Sequence, residues 1–404
     1  MVVCRVEMSL PRCLQNIYKW RQCRVVTGMT DNRIKELTRR VALVYLDKIT
    51  GEMVRHLEEE EAGIDFLFEC RSDVELCRRM GLASGALSVA RCDEALALAA
   101  REMDFIERHG IDCLYMFDAE YPVGLIDMVN PPKMLFRLGK TDLNAPHSIS
   151  MVGTRKCTPY GSSFCARFIE DLHLYFPDLC VISGLAYGVD AACHRAALER
   201  GLPTVGVVAH GLDRIYPPAH RDLAREMIAS GGAVLTEYPS GTSPFPSRFL
   251  ERNRIVACMS KGVFVVESEL KGGAMSTATT AFSYNHEVFA LPGRATDIKS
   301  SGCNHLIRTN KASLATCAAD VMEHLGWNPA GLKLDYRQRN LFPELDGDVK
   351  KIYDAVRCAG KPMTFDDIRQ ATQLPVSVIM GIVGEMEFDG LLMRLPGNRF
   401  EVTG

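Results

Sequence analysis

Apolar positions along the chain change their spacing twice. From Asp31 to about Gly110 they recur at helical intervals, in ALVYL (42–46) and EALALAAREMDFIERHG (94–110), which predicts a small helical region. From Ser148 to Trp327 they fall instead into short runs, SISMVG, CVISG, TVGVVAHG, AVLTEY, VFVVES and EVFALPG. Several of these runs are apolar at consecutive positions, the pattern of strands covered on both faces. Helices of about 10–15 residues separate most of them, the crossover length of βαβ units. The expected class is therefore α/β, a doubly wound parallel sheet with ligands at the carboxyl ends of its strands. Between the two regions, IDCLYM (111–116) and MLFRLG (134–139) are strand candidates around a proline-punctuated stretch.

The ends of the chain read differently. Asn328–Asp346 (NPAGLKLDYRQRNLFPELD) is polar with two prolines and predicts a linker. Residues 347–404 predict three short helices, DVKKIYDAVRCAG, TFDDIRQAT and PVSVIMGIVGEMEFDG, then a hairpin with a Pro-Gly-Asn turn. That order is the winged-helix pattern. The third helix contains no Lys or Arg, which argues against reading of duplex DNA and for protein contact. Residues 1–28 are basic without a continuous apolar core, so they are not a secretory signal. They read as an upstream extension, with Thr30 or Asp31 capping the first helix.

Composition narrows the function classes. The chain has 404 residues with a net charge of −3, so any nucleic-acid surface is a local patch. Fifteen cysteines without a C-x-x-C pair indicate neither a zinc module nor a thioredoxin-type site, and fit a reducing cytoplasm. No run approaches ~20 apolar residues, so no transmembrane helix or membrane partner is expected.

The candidate chemistry lies in glycine-rich turns that follow strands. Gly153 in GTRK (153–156) permits close backbone approach, and Arg155, with Lys156 beside it, can fork onto a phosphate. In SGLAYGVDAACH (183–194), Ser183 and Gly184 can present a hydroxyl and amides to an anion, while Asp190 and His194 share one helix face. That pair reads either as acid and base or, preferably, as a structural hydrogen bond. Arg252, Asn253 and Arg254 open an apolar helix and can clamp backbone phosphates, or sit in ion pairs with Glu251 and Glu237. In KGGAMSTATTA (271–281), Lys271 supplies charge, Gly273 exposes an amide, and Ser276 and Thr277 add hydroxyls at a positive helix end. Neither the dinucleotide fingerprint nor a P-loop occurs, and no nucleophile elbow or H-E-x-x-H motif accompanies the turns.

These motifs together resemble the DNA-processing protein A family, also called the Smf or DNA-protecting family. The likeness runs from roughly Tyr121 to Asp320. It includes YP…NPP…LFRLG, MVGTR…YG, ISGLAYGVDAACHRAAL, GLDRIYPPAHRDLA, LTEYPSGTSP, RNRIVACMS, VFALPG and SGCNHLI, in the family's order. The resemblance implies a sterile-alpha-motif-like helical domain over 29–120, an extended Rossmann-like domain over 121–327, and a winged helix over 347–404. It implies a protein without metal or nucleotide cofactor that binds and protects single-stranded DNA and loads the RecA recombinase on it during natural transformation. It further implies a cytoplasmic homodimer formed through the Rossmann-like domain. By the same resemblance Arg155 is the main phosphate contact, and Arg252, Arg254, Lys271 and the amides around Gly184 and Gly273 line the strand groove. The chain departs from the family in having Phe249-Leu250-Glu251 before the Arg-Asn-Arg triplet, Pro218 after Tyr216-Pro217, and Gly272-Gly273-Ala274 in place of a serine-bearing turn.

A second reading is an enzyme. The expected fold is similar to the lysine-decarboxylase-like phosphoribohydrolases, which bind and cleave nucleoside monophosphates. Their glycine turn carries a glutamate where this chain offers Thr279 or Thr280, leaving no general base for glycosidic cleavage. Few aromatics stand at the turns of the central region, so phosphate contacts are expected to outweigh base stacking.

Overall fold

A computed structural model of the chain describes residues 31–327, 347–388 and 391–402. The expected extension over 1–28, the Thr30 cap and the linker over 328–346 lie outside the described residues. Two compact units separate near residue 332.

The first unit opens with helices α1 (Asp31–Ala42), α2 (Gly51–Glu58), α3 (Asp65–Glu69), α4 (Asp73–Arg79) and α5 (Val89–His109). Ser and Thr residues cap several of them: Thr50 Oγ1 accepts Met53 N–H at 3.2 Å, and Ser88 Oγ accepts Arg91 N–H at 3.3 Å. Gly110 ends α5 in the left-handed region at φ +60°. Val41, Leu43, Leu67, Leu76 and Ala99 of this region join the same apolar core as the sheet that follows.

That sheet has nine strands. They are β1 (Asp112–Tyr115), β2 (Met134–Gly139), β3 (Ser148–Val152), β4 (Cys180–Ser183), β5 (Thr204–Val207), β6 (Ala233–Thr236), β7 (Gly262–Val265), β8 (Glu287–Ala290) and β9 (Ser313–Leu314), in spatial order β1-β2-β6-β5-β4-β3-β7-β8-β9. From β6 to β9 all pairs are parallel, while β1 and β2 add antiparallel pairs at one edge. Every residue of β3, β4, β5, β6 and β7 is buried, as the consecutive apolar runs predict. The chain leaves β3 for β4, β5 and β6 on one side, then returns to β7 on the other. Crossover helices α7 (Pro159–Tyr175), α8 (Val189–Glu199) and α9 (Arg221–Ala229), which follow the short α6 (Val123–Ile126), pack in succession. A second set, α10 (Pro246–Cys258) and α11 (Gly273–Ser283), packs together and precedes α12 (Ser301–Arg308) and α13 (Ala318–His324). Right-handed crossovers to either side of β3 place the two sets on opposite faces. The strand order reverses between β3 and β7, and the ends of these two strands diverge into a crevice.

Two polar side chains tie the helical region to the sheet. Lys133 Nζ, entering β2, donates to the carbonyls of Leu43, Leu46 and Ile49 at 2.5, 3.0 and 2.8 Å. Glu102 of α5 accepts from Ser240 N–H at 2.8 Å and Ser240 Oγ at 2.6 Å. Within the antiparallel edge of the sheet, Arg137 of β2 pairs with Asp112 of β1 and with Glu120.

The second unit has α14 (Gly347–Ala359), β10 (Met363–Thr364), α15 (Phe365–Thr372), α16 (Val376–Phe388), β11 (Leu392–Leu395) and β12 (Arg399–Val402). The hairpin β11–β12 takes β10 against β12. Ile352, Ile368, Ile379, Val383 and Phe400 form its core. Thr364 and Asp367 close a reciprocal cap on α15. The Pro-Gly-Asn turn works because Gly397 and Asn398 both hold positive φ, +88° and +52°. The fold is the expected one, with two-residue β10 too short to leave a periodic signal.

Candidate nucleic-acid interface

A cleft of about 730 Å³ opens at the carboxyl ends of β3, β4 and β7, where the strand order reverses. Its walls are built from the glycine turns. The loop after β3 carries Arg155 and is clamped at its base: Thr154 N–H donates to Glu267 O at 2.7 Å, and Val189 N–H donates to Thr154 O at 3.2 Å. Glu267, buried at the end of β7, also accepts Thr158 N–H at 2.9 Å. Gly188 permits this closeness, since at φ +76° a Cβ there would lie 2.2 Å from Thr154 O. The loop base is therefore rigid, while Arg155 and Lys156 at its tip are exposed.

Eight of the twelve sequence-predicted residues line this cleft: Gly153, Arg155, Lys156, Gly184, Arg252, Asn253, Gly273 and Thr277. Arg155 makes no ion pair among the described residues, and its guanidinium lies 5.4 Å from the centre of the Phe249 ring. Helix α11 begins at the cleft without a side-chain cap. Gly273 there has no atom within 4 Å of where a Cβ would stand, so the first turn faces open space with its positive dipole end. Asn253 Nδ2 reaches Gly273 O at 3.5 Å and links α10 to this turn.

The other four predicted residues do not line the cleft. Ser183 is fully buried and spends its hydroxyl on Met151 O at 2.6 Å. Arg254 turns away and pairs with Glu237, so the alternative of an internal ion pair holds for it. Lys271 and Ser276 lie outside the cleft wall.

Arg252 is not a surface clamp either. It is 4% exposed, and Nη1 donates to Val207 O at 2.5 Å. Its Nε is buried with no partner. Gly184 is required above it: a Cβ would sit 2.2 Å from Nη1 and 2.7 Å from Asp190 Oδ2. Burial pushes the Asp190 carboxyl up, opposed by Arg252 and by amide hydrogen bonds. At the rim, Lys299 Nζ meets Glu269 at 2.5 Å and holds that carboxyl below its ordinary range. Both carboxylates of the cleft thus have cationic neighbours.

The expected Asp190–His194 hydrogen bond does not form. Asp190 Oδ2 accepts Ala186 N–H at 3.2 Å, whereas His194 Nδ1 meets Thr204 Oγ1 at 2.7 Å. His194 is fully buried and structural.

The scarcity of aromatics expected at the turns is overturned by two loops distant in sequence. Tyr216 and Phe249 both line the cleft, with ring centres 5.8 Å apart. His210 sets the Tyr216 loop: its Nε2 accepts Tyr216 N–H at 3.1 Å while Nδ1 faces Gly211 O at 2.9 Å. Leu250 and Lys299 are further lining residues that the sequence reading missed. The readable signal for the aromatics was their setting among prolines and arginines, in RIYPP and PFPSRFL.

Residues 112–326 match the family described as DNA recombination-mediator protein A, and residues 342–398 match the DprA winged helix domain. The chain is 37% identical over 207 residues to the DNA processing protein DprA of Streptococcus pneumoniae, covering 51% of this chain and 72% of that protein. It is 32% identical over 282 residues to the protein Smf of Escherichia coli, covering 69% and 74%. The X-ray structure of DNA processing protein A from Streptococcus pneumoniae superposes with a TM-score of 0.59 at 29% identity, covering 73% of this chain and 98% of that one.

Proposed function

Because the chain belongs to the DNA recombination-mediator protein A family, we propose that its cleft binds single-stranded DNA, which the protein protects and passes to the RecA recombinase during natural transformation. In this reading the protein acts as a homodimer through the sheet-bearing unit. Arg155 carries the argument. It is a cation without an ion-pair partner among the described residues, on a clamped loop, beside an uncapped helix N-terminus and an aromatic face. Backbone phosphates sit on Arg155 and Lys156 at the exposed loop tip. Unpaired bases stack on Phe249 and Tyr216, which a closed duplex cannot offer. Arg252 shapes the floor, and Asn253 orients the α11 turn. Helix α16 of the winged helix has no Lys or Arg and exposes Val378 and Met380, a surface for a protein and not for phosphates.

The test is an anisotropy titration of a labelled single strand and its duplex at two salt concentrations. The single strand is expected to bind more tightly, with affinity falling as salt rises by a log–log slope of about −0.7 per phosphate contacted. Arg155→Ala is expected to weaken that binding by about 1–3 kcal/mol, the scale of a lost charge-assisted contact, with the circular dichroism spectrum unchanged. Equal affinity in parent and variant would remove the cleft as the binding site. Nucleation of RecA on protein-coated strand, and sedimentation of the free protein, check the partner and the dimer.

A further inference from the structure

The deepest part of the cleft holds donors that a chain-internal phosphate cannot easily use. Arg252 is 4% exposed, and only Nη1 of its three nitrogens makes a hydrogen bond among the described residues. Nε is buried without a partner. On the same cleft, the N–H groups of Gly273 and Ala274 have no acceptor among the described residues, since the eleven-residue helix α11 starts there without a side-chain cap. Asn253, adjacent to Arg252 in the chain, contacts Gly273 O and joins the two sets of donors.

Geometry and charge select the ligand. An internal phosphodiester must enter and leave a site, so it needs an open trough on both sides. A donor at 4% exposure on a floor is reached most simply by a group that ends a chain. The charged residues lining the cleft are Arg155, Lys156, Arg252 and Lys299 against Asp190 and Glu269. The excess is two positive charges, matching the roughly −1.5 to −2 that a phosphomonoester carries at pH 7. A diester carries one negative charge and two accepting terminal oxygens, whereas a monoester presents three.

We propose that the floor of the cleft is a seat for a phosphomonoester on a nucleotide, held by Arg252 and the first amides of α11, so that the protein reads a phosphorylated strand end. This rests on the single-strand reading above. The same chemistry also exists in a free nucleoside monophosphate.

The experiment compares four otherwise identical labelled oligonucleotides with the full chain: 5′-phosphate, 3′-phosphate, both ends hydroxyl, and a closed circle. One phosphorylated end is expected to bind about tenfold more tightly than the hydroxyl form, the worth of one net charge-assisted contact. Which end gains identifies the strand polarity. Equal binding of all four overturns the seat and leaves the single-strand reading intact. Absence of binding by every strand sinks the single-strand reading, and titration with adenosine monophosphate then decides the seat: saturable binding supports it, and none overturns it. In the wild-type protein, displacement of the phosphorylated strand down to the hydroxyl level by millimolar adenosine monophosphate would show that the free nucleotide shares the seat.

Arg252→Ala risks misfolding, so Gly273→Pro is the decisive variant. Proline is well accepted at the first position of a helix and removes one N–H. Gly272 already holds φ −73° and ψ 152°, which suits a residue before proline. The ratio of phosphorylated to hydroxyl affinity is expected to collapse toward one. A ratio that stays near ten in this variant removes α11 from the seat.

Discussion

Replacing Lys133 by methionine is expected to cost about 3–5 kcal/mol of stability, the range for breaking a buried charged contact by removing one partner. The ammonium satisfies three carbonyls at once, those of Leu43, Leu46 and Ile49. These carbonyls belong to the turn that follows α1, and a thioether in place of the ammonium offers them no donor. Burial pushes the lysine pKa down to about 8, so the side chain remains mostly charged at neutral pH and its hydrogen bonds are charge-assisted. Methionine keeps the apolar stem, which separates the lost donors from lost packing. Calorimetry should read a fall in Tm of roughly 10 °C, at about 2–4 °C per kcal/mol for a unit of this size. A Tm within about 2 °C of the parent would mean that the three carbonyls find other donors, and that the helical region does not depend on this lysine.

Acid is expected to weaken the first unit through His194. Thr204 Oγ1 donates to Val181 O at 2.8 Å, so toward His194 it acts as acceptor. The imidazole proton therefore sits on Nδ1, and Nε2 is buried without a partner. Protonation would place a charged N–H in an apolar interior with no acceptor, near His220 and Arg252. Burial first, then the electrostatic influence of His220 and Arg252, lower the pKa to about 3. The folded value lies below the unfolded value of about 6.5. The stabilisation is thus complete above pH 6.5 and is lost as pH falls from 6.5 toward 3. At about 1.36 kcal/mol per unit, the loss between pH 7 and pH 4 is about 3 kcal/mol. His194→Leu removes the titrating group, so the difference in unfolding free energy between parent and variant should shrink by that amount across the interval. Parallel pH profiles for the two proteins would show that acid acts elsewhere.

Much of the site was visible as local pattern because local sterics demand particular residues. Strands buried on both faces must be apolar at consecutive positions, so β3 to β7 stood out. Gly153, Gly184 and Gly188 stood out because backbone or a guanidinium passes within 3 Å of where a side chain would be. Arg155 was legible because a loop tip after such a turn has no interior to enter.

The roles of Arg252 and Arg254 were not legible as a pair. Two residues apart on a helix, their side chains diverge by about 200°. One enters the cleft floor and the other meets Glu237. The Asp190–His194 pairing failed for a related reason. Helical spacing places them on one face, but Thr204 of β5 presents a hydroxyl closer to the imidazole, and no sequence interval encodes that strand neighbour.

What the sequence alone determined is what one short segment can specify: the α/β class, the winged-helix order, the glycine turns and the exposed cation of GTRK. Those follow from periodicity, turn chemistry and charge, which act over a few residues. Only the tertiary structure decided which side chains converge. It brought Tyr216 to Phe249 and Lys299 to Glu269 across about thirty residues each, buried Arg252 under Gly184, and left α11 uncapped above it. Convergence depends on strand order and crossover paths, and the physical cause is burial: each donor's role is set by which neighbours desolvate it and which of its hydrogen bonds they leave unmade.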